Sequence, residues 1–356
     1  MKVVEVDPFF YPYKGGIERR IHDTSKMLAE RGHDVTVLTA RLPDTAEEEK
    51  MDGYRIVRLK SRYINLYNPP FVSSKGVLES LISMDADIVN YHYRWAPSYN
   101  KDLKRYDGKK IFTYHNMWGE GVGITGKISM INDNRFRKCL ETFDHIICVS
   151  DHVKKDLESR GLGVDMTTIP TCLDSFPEMR NDEGNFILSL GRMVKTKGLD
   201  HLIEAMRSVD SKLIVCGKGP ESKTVSKLVR KYGLEDKVEI KGWVTDEEKE
   251  ELMATCKMFV MPSLFESFGL AALEQMAYGR PIVCTDVNGL PDTVGDGGII
   301  VRPADPNGLA DAINTLLANP EERSELGKNA RKQSEIYQWP ENIKKMEEVY
   351  QRVMDH

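Results

Sequence analysis

The feature that most constrains the fold of this chain is an alternation of short apolar runs with longer amphipathic segments. Such alternation is typical of parallel α/β sheets, in which each helix connects one buried strand to the next. In the first half the apolar runs are KVVEVD, DVTVLTA, YRIVRLK, ADIVNYH, KIFTYH and HIICVS. In the second half they are NFILSLG, SKLIVCG, KVEIKGW, CKMFVMPS and PIVCTD. The pattern therefore predicts an α/β fold with two doubly wound parallel sheets.

A break in this alternation separates the two halves. Residues 169–185, IPTCLDSFPEMRNDEGN, are rich in Pro, Asp, Asn and Gly and lack any periodicity. The 356 residues are enough for two domains of ordinary size. We expect Rossmann-like domains at 1–175 and 176–335, facing each other across a cleft at the carboxyl ends of their strands, where such sheets bind ligands. Residues 336–356 have apolar side chains at helical spacing and are predicted to cross back onto the N-terminal domain.

Composition and charge exclude several classes of protein. The net charge of −5, with a slightly basic first half, argues against a nucleic-acid partner. It leaves open a peripheral contact between the first half and an anionic membrane or acceptor. No apolar run approaches the roughly 20 residues of a membrane span, and the first residues are interpreted as a strand and loop, not a signal peptide. Six scattered cysteines without a CxxC pair predict reduced thiols in a cytoplasmic protein and no metal site.

The stretch ESFGLAALE, residues 266–274, combines carboxylates with a helix start. At about 100° per residue, Glu266 and Glu274 do not share one helix face. We expect Glu266, Phe268 and Gly269 in the loop entering the helix, and Glu274 one to two turns inside it. Backbone amides at a helix N-terminus attract phosphate, and carboxylates accept hydrogen bonds from hydroxyl groups. A nucleotide-sugar would require both.

Two cations follow a predicted strand in GRMVKTKG, residues 191–198. The forked guanidinium of Arg192 and the ammonium of Lys197 are suited to clamping a diphosphate. A solvated basic loop is the competing interpretation.

Glycine-rich turns follow other predicted strands. Gly15-Gly16 would accept a phosphate or form a plain tight turn. In the second half Gly217 and Gly242 occupy similar positions, and Trp243 would contact a base or belong to the core. His115, at the end of KIFTYH, is the best-placed ionisable residue of the first half, as a catalytic group or as a hydrogen-bonded core residue.

These segments, in this order, resemble nucleotide-sugar glycosyltransferases of the GT-B fold, and most closely the retaining family 4. The stretch ESFGLAALE matches the E-x7-E motif of that family, GRMVKTKG its Arg/Lys signature, and KGGIE its N-terminal glycine loop. The surrounding strand and helix pattern is also similar to phosphatidylinositol glycan and mannosyl transferases. The resemblance covers essentially the whole chain. In place of the frequent Pro-Asn-Gly-Val-Asp, residues 170–174 read PTCLD, which keeps Asp174.

The resemblance implies a role for each matching residue. Arg192 and Lys197 would stabilise the departing nucleotide diphosphate, Glu266 would hydrogen-bond the transferred sugar, and His115 would face that sugar near the reacting centre. The full set of expected donor-binding residues is Gly15, Gly16, Gly191, Gly217, Gly242, Trp243, Phe268, Gly269, Leu270 and Glu274.

The implied reaction moves a hexose or N-acetylhexosamine with retention of configuration. The donor would be a UDP-sugar, with GDP-mannose as second choice, and no metal or other cofactor would be required. The acceptor would be a hydroxyl group of a glycolipid, an inositol phosphate or a polysaccharide precursor. For acceptor binding, residues 132–141 present Arg135, Arg137 and Lys138 beside Phe136, or else form a solvated basic helix face.

Two other functions are compatible with the same scaffold. A nucleotide-sugar epimerase would bind the same donor but needs further acids and histidines near the sugar, and the eight histidines form no obvious set. A non-catalytic nucleotide-sugar binding protein would keep the Arg/Lys pair without needing His115.

Overall fold

A computed structural model describes residues 1–64 and 71–356. The chain forms two compact units. The first unit contains Met1–Glu120, Gly126–Asp174 and Gln338–His356, and the second contains Gly121–Thr125 and Ser175–Tyr337. Each unit is built on a largely parallel sheet with connecting helices, which confirms the predicted α/β architecture.

The first unit has an eight-stranded sheet and a separate two-stranded ribbon. Its strands are β1 (Lys2–Val6), β2 (Asp34–Ala40), β3 (Glu48–Met51), β4 (Tyr54–Leu59), β5 (Ser61–Ile64), β6 (Phe71–Ser74), β7 (Ile88–Tyr91), β8 (Lys110–Tyr114), β9 (His145–Cys148) and β10 (Met166–Thr168). Its helices up to this point are α1 (Gly16–Glu30), α2 (Val77–Met84), α3 (Pro97–Arg105), α4 (Ile124–Leu140) and α5 (Asp151–Ser159). The sheet order is β10-β9-β8-β7-β1-β2-β4-β3, and only the edge strand β3 runs antiparallel to its neighbour.

The second unit has a six-stranded, fully parallel sheet. Its strands are β11 (Phe186–Leu190), β12 (Lys212–Cys216), β13 (Val238–Gly242), β14 (Met258–Met261), β15 (Ile282–Thr285) and β16 (Gly298–Val301). Its helices are α6 (Leu199–Ala205), α7 (Ser222–Lys231), α8 (Asp246–Thr255), α9 (Leu270–Ala277), α10 (Leu290–Val294), α11 (Pro306–Ala318) and α12 (Pro320–Ser334). The order β13-β12-β11-β14-β15-β16 places the chain reversal of a doubly wound sheet between β11 and β14.

The C-terminal helix α13 (Trp339–Asp355) belongs to the first unit. Its buried apolar side chains recur every three or four residues and join the core beside α1 and β1. They are Ile343, Met346, Val349, Tyr350 and Val353. Burying each such side chain stabilises the fold by roughly 1.5–3 kcal/mol, so the helix is fixed by its apolar stripe.

The helices were compared with the dimensions of a lipid bilayer. Across residues 1–64 and 71–356, no helix combines the length and the apolar character that a bilayer span requires.

One buried carboxyl group makes the stability of the first unit depend on pH. Asp23, on the inner side of α1, is only 5% exposed, and its carboxylate lies 3.7 Å from Arg19. Burial raises the pKa of Asp23 to about 7, and the Arg19 guanidinium only partly opposes this. Because the folded-state pKa lies above the unfolded one, the folded chain binds this proton more tightly. The stability contribution is therefore present at low pH and is lost as the pH rises through about 7.

We predict that Asp23→Asn raises the free energy of unfolding by about 2 kcal/mol at about pH 8, because it removes the cost of burying a charge. The gain should shrink towards zero as the pH falls to about 4, where the folded-state carboxyl group is neutral. Urea denaturation across this pH range measures the effect, with Asp107→Asn at an exposed position as the control. An equal gain at both ends of the pH range would contradict the assignment to Asp23.

Candidate active site

Three glycines bring the ends of neighbouring strands together at the carboxyl edge of the second sheet. The Gly217 amide donates to the Gly242 carbonyl at 2.6 Å, and the Gly191 amide donates to the Cys216 carbonyl at 3.0 Å. A Cβ at Gly217 would lie 1.9 Å from the Gly191 carbonyl oxygen, and the φ of Gly217 is +124°. Only glycine tolerates this approach. The structure therefore places Gly191, Gly217 and Gly242 side by side.

Lys197 and Glu266 form an ion pair at the same edge. Lys197 lies in the short helical turn Lys195–Lys197, and the Thr196 carbonyl accepts the Leu264 amide at 2.7 Å. This backbone bond holds the turn against the loop that follows β14. The Lys197 ammonium consequently donates to the Glu266 carboxylate, although the two residues are 69 positions apart. The side chains are 24% and 13% exposed, so both remain accessible from one side.

Arg192 supplies a second positive charge beside this pair. It is exposed and lines a shallow pocket together with Gly191, Lys197 and Ser263. Within residues 1–64 and 71–356, its guanidinium makes no hydrogen bond or ion pair. The Ser263 hydroxyl is fully buried in the pocket wall and has no hydrogen-bond partner among the residues that the structure describes. The pocket thus combines a cation and a buried hydroxyl group that the described part of the chain leaves unpaired.

The N-terminus of α9 is an environment suited to an anion. Its N-cap residue is Gly269, with φ +96°, and none of the described side chains caps it or places an acidic group in its first turn. By contrast, the first turn of α8 carries three acidic residues. The amides at the start of α9, beginning at Leu270, are arranged in the way that favours phosphate.

Phe268, directly before this helix, has a structural role through its ring. The ring is buried and contacts Tyr337 edge-on at 5.4 Å between centroids. The Thr293 hydroxyl donates to the Phe268 carbonyl at 2.5 Å. These contacts fix the backbone conformation from which α9 starts.

Glu274 and Trp243 complete the predicted set of the second unit. The Glu274 carboxylate accepts a hydrogen bond from Lys249 of α8 at 2.7 Å, and its side chain is 12% exposed. Lys249 was not predicted, because it lies in an acidic helix that resembles an ordinary solvated segment. Trp243 is 64% exposed, so the interpretation of Trp243 as a core aromatic is wrong.

The glycine turn of the first unit is accompanied by a carboxylate that the sequence motifs did not reveal. Gly15 is the N-cap of α1, and Gly16 is its first residue. A Cβ at Gly15 would lie 2.3 Å from Oε2 of Glu18, which folds back over the helix start. Glu18 is 6% exposed, and burial together with the Glu18 charge raises the pKa of Asp7 well above its usual value. The turn is therefore acidic, and a phosphate role for Gly15 and Gly16 stays a prediction.

His115 belongs to a largely buried chain of polar side chains in the first unit. Nε2 of His115 lies 2.9 Å from Nδ1 of His92, and Nε2 of His92 lies 2.5 Å from a carboxylate oxygen of Glu5. Burial lowers the pKa of His115 well below 6.5, and the neighbouring His92 and two arginines act in the same direction. His115 is therefore neutral at pH 7. The signal for His92 was present, since it ends the apolar run that precedes the one ending at His115.

The basic segment predicted for the acceptor forms the second half of α4. Phe136 is only 3% exposed and packs against Phe112, so it does not lie on the surface beside the cations. Arg137 is bound to Glu141 at 2.7 Å, whereas Arg135 and Lys138 are exposed.

Potential metal ligands are scattered in the part of the chain that the structure describes. Residues 1–64 and 71–356 contain no cluster of three or more His, Cys, Asp or Glu side chains arranged to hold a metal ion. All six cysteines are buried thiols.

Two family profiles match consecutive parts of the chain. The profile described as Glycosyltransferase Family 4 matches residues 14–175, and the profile described as Glycosyl transferases group 1 matches residues 173–333. Together they span both sheets and every predicted site residue. The chain belongs to the family 4 glycosyltransferases. The predicted GT-B class and the assignment as a glycosyltransferase enzyme are confirmed.

Similar proteins match nearly the whole length of this glycosyltransferase. It is 26% identical to a phosphatidylinositol N-acetylglucosaminyltransferase of Arabidopsis thaliana, over 99% of this chain and 82% of that protein. It is 27% identical to N-acetyl-alpha-D-glucosaminyl L-malate synthase of Bacillus anthracis, over 90% of this chain and 89% of that protein. The structure of sucrose-phosphate synthase from Thermosynechococcus elongatus superposes with a TM-score of 0.84 at 22% identity, covering 100% of both chains.

We predict that Gly217→Ala destabilises the second unit by about 3 kcal/mol or more, because its Cβ would collide with backbone. The matched control is Gly233→Ala, where φ is +63° but no atom lies within 4 Å of the added Cβ. That variant should lose only about 1–2 kcal/mol, the cost of a left-handed backbone. Thermal unfolding of both variants measures the difference. Equal losses would show that the close approach at Gly217 does not matter.

Proposed function

We propose that this glycosyltransferase moves N-acetylglucosamine or a hexose from a UDP-sugar to a hydroxyl acceptor, with retention of configuration. The observation that carries the proposal is the Lys197–Glu266 pair beside the exposed Arg192 and the start of α9. Cations and amides suit a diphosphate, and a carboxylate beside them suits the hydroxyl groups of the sugar.

The donor diphosphate is held, in this proposal, by Arg192, Lys197 and the first amides of α9 at Gly269 and Leu270. Glu266 orients the Lys197 ammonium and keeps further lone pairs for a sugar hydroxyl. The buried Ser263 hydroxyl in the pocket wall gains a partner when a polar ligand enters.

The nucleoside is bound, in this proposal, by Glu274 and Trp243. The Glu274 carboxylate, held by Lys249, accepts hydrogen bonds from the ribose hydroxyls. The exposed ring of Trp243 offers an apolar face to the base. The close approach of the strands at Gly217 lets the ligand reach the backbone.

The choice of sugar is supported by the names of the relatives. The proteins of Arabidopsis thaliana and Bacillus anthracis described above are both named for an N-acetylglucosaminyl group. UDP-N-acetylglucosamine is therefore the first donor to test, followed by UDP-glucose and GDP-mannose.

Catalysis in this proposal depends on stabilising the leaving group. As the glycosidic bond breaks, negative charge builds on the diphosphate, where Arg192, Lys197 and the helix amides are already oriented. The acceptor hydroxyl then attacks the oxocarbenium-like sugar on the same face, which gives retention without a covalent intermediate on the protein. With these cations in place, we propose that the reaction proceeds without a resident metal or cofactor.

The acceptor is proposed to be a hydroxyl group on a lipid-linked molecule, because α4 has an unusual exposed face. Ile124, Ile128 and Ile131 recur every three or four residues and are 75%, 53% and 55% exposed. The exposed cations Arg135 and Lys138 continue this face towards the end of the helix. An apolar stripe followed by cations matches an anionic membrane surface. The reduced thiols favour the cytoplasmic side of such a membrane.

We predict that Lys197→Ala lowers kcat/KM for donor turnover by on the order of 10²–10³-fold, because one charged contact to the leaving group is lost. Slow donor hydrolysis should be measured with UDP-N-acetylglucosamine, UDP-glucose, GDP-mannose and ADP-glucose, by release of the free nucleotide. Lys195→Ala, an exposed cation in the same turn, is the matched control and should stay within about two-fold of wild type.

The products of the same assay separate the rival functions. An epimerised nucleotide-sugar would indicate an epimerase, and tight binding of one donor without release or transfer would indicate a binding protein. If none of the four donors binds and Lys197→Ala equals wild type, the proposed donor site is wrong.

We predict that replacing Ile128 by Asp weakens binding to vesicles containing anionic phosphatidylglycerol by about ten-fold, because a charge interrupts the apolar stripe. Ile82→Asp on α2, where Ile82 is 63% exposed, is the matched control and should bind like wild type. Co-sedimentation with anionic and neutral vesicles measures both contributions. Equal binding of the two variants to anionic vesicles would exclude α4 as the membrane-contacting surface.

A further inference from the structure

The first unit contains a polar chain that the proposed donor chemistry does not use. Glu5 lies in β1, His92 directly follows β7, and His115 directly follows β8. These three strands are neighbours in the order β8-β7-β1, and Glu5 is paired in register with Asn90. Since side chains alternate along a strand, Asn90 and His92 lie on one face of the sheet. The sheet thereby aligns a carboxylate and two imidazoles across three strands.

The carboxylate end of this chain receives only donors. The Asn90 amide donates to Glu5 at 2.9 Å, the Tyr350 hydroxyl donates to it at 3.1 Å, and His92 Nε2 lies at 2.5 Å. The Thr113 hydroxyl donates to the side-chain carbonyl of Asn90 at 2.8 Å, which orients the amide nitrogen towards Glu5. Burial and the Glu5 charge raise the pKa of Tyr350 well above 10, so the phenol keeps its proton. Glu5 therefore accepts from three donors, and His92 supplies its proton from Nε2.

The protonation of His92 fixes that of His115. A neutral imidazole has one donor and one acceptor nitrogen, so a proton on Nε2 of His92 leaves Nδ1 as the acceptor. The group facing Nδ1 is Nε2 of His115, at 2.9 Å. His115 must then donate from Nε2, and its own Nδ1 is the acceptor nitrogen of its ring.

A second proton on His92 is disfavoured by a neighbouring cation. The guanidinium of Arg20 is buried in the same region, and burial lowers its pKa while the charge of Glu5 opposes this. The Glu5 carboxylate thus already has a positive charge nearby to balance it. An imidazolium at His92 would add a further buried charge without a counter-ion of its own.

We infer that Glu5 and His92 are positioning residues that fix the tautomer of His115, so that Nδ1 of His115 accepts a hydrogen bond from a substrate hydroxyl. This inference deepens the proposed function and rests on it for the identity of the substrate. Unlike His92, His115 is only half-buried, which leaves part of its surface accessible. His115 holds the hydroxyl without taking its proton, because its low pKa makes it a weak base.

The tautomer is tested directly by long-range proton–nitrogen NMR of the histidine-labelled full chain at about pH 7.5. The expected spectrum has the proton on Nε2 and not on Nδ1 for both His92 and His115. Signals are assigned by comparison with His92→Gln and His115→Gln. A proton on Nδ1 of His115, or a doubly protonated His92, would overturn the inference whatever the donor assays show.

The functional consequence is tested with two substitutions of His92. His92→Phe keeps a planar ring but removes both hydrogen-bonding nitrogens, and kcat should fall by about 10²-fold while KM for the donor changes by less than about three-fold. His92→Gln should recover most of kcat, because its amide can donate to Glu5 and accept from His115. The control for loss of a buried imidazole is His145→Phe, whose partner is Thr167 in the same sheet, and it should retain wild-type kcat.

The outcomes distinguish the two proposals. Wild-type kcat in His92→Phe, or equal losses in His92→Phe and His145→Phe, would overturn the positioning role. If wild type turns over none of the four donors, the proposed function fails, whereas the NMR spectrum still decides the tautomer.

Discussion

The donor site of this glycosyltransferase depends on how closely three backbones approach at the carboxyl edge of the second sheet. The hydrogen bond from Gly217 to Gly242 and the contact of Gly217 with Gly191 leave no room for a Cβ. Side chains are thus excluded from the point where β11, β12 and β13 end, and the chain exposes backbone there instead. Arg192 directly follows one of these glycines, so its position is a consequence of the same approach.

The carboxylates of the two units have different kinds of partners, and the difference matches their proposed uses. In the second unit, Glu266 and Glu274 are each bound by a lysine and remain partly exposed. Such pairs orient cations and can exchange partners when an anion arrives. In the first unit Glu5 is fully buried and is held by two uncharged donors and an imidazole. A carboxylate held in this way orients neighbouring protons, which is a fixed and not an exchangeable function.

The sequence predicts the fold well because the decisive information is local. Apolar runs and helix spacing identify the strands individually, and parallel strands place their carboxyl ends on one edge, so Lys197 and Glu266 meet despite their separation. The partners that were missed depend on strand order, which periodicity does not determine. The contact between His92 and His115 requires β7 beside β8, and the contact between Glu5 and Tyr350 spans 345 positions. The exposure of Trp243 and the burial of Phe136 likewise follow from packing.

The C-terminal helix connects the stability of the first unit to its polar chemistry. Its apolar stripe is buried in the core, and Tyr350 belongs to that stripe while its hydroxyl bonds to Glu5. Removing one donor from a buried carboxylate typically costs about 1–3 kcal/mol, in addition to the apolar area lost with the helix. A displaced α13 would therefore both expose core side chains and release Glu5 from one of its three donors. The packing of a helix at the end of the chain thus supports the carboxylate that, in our inference, sets the protonation of His115.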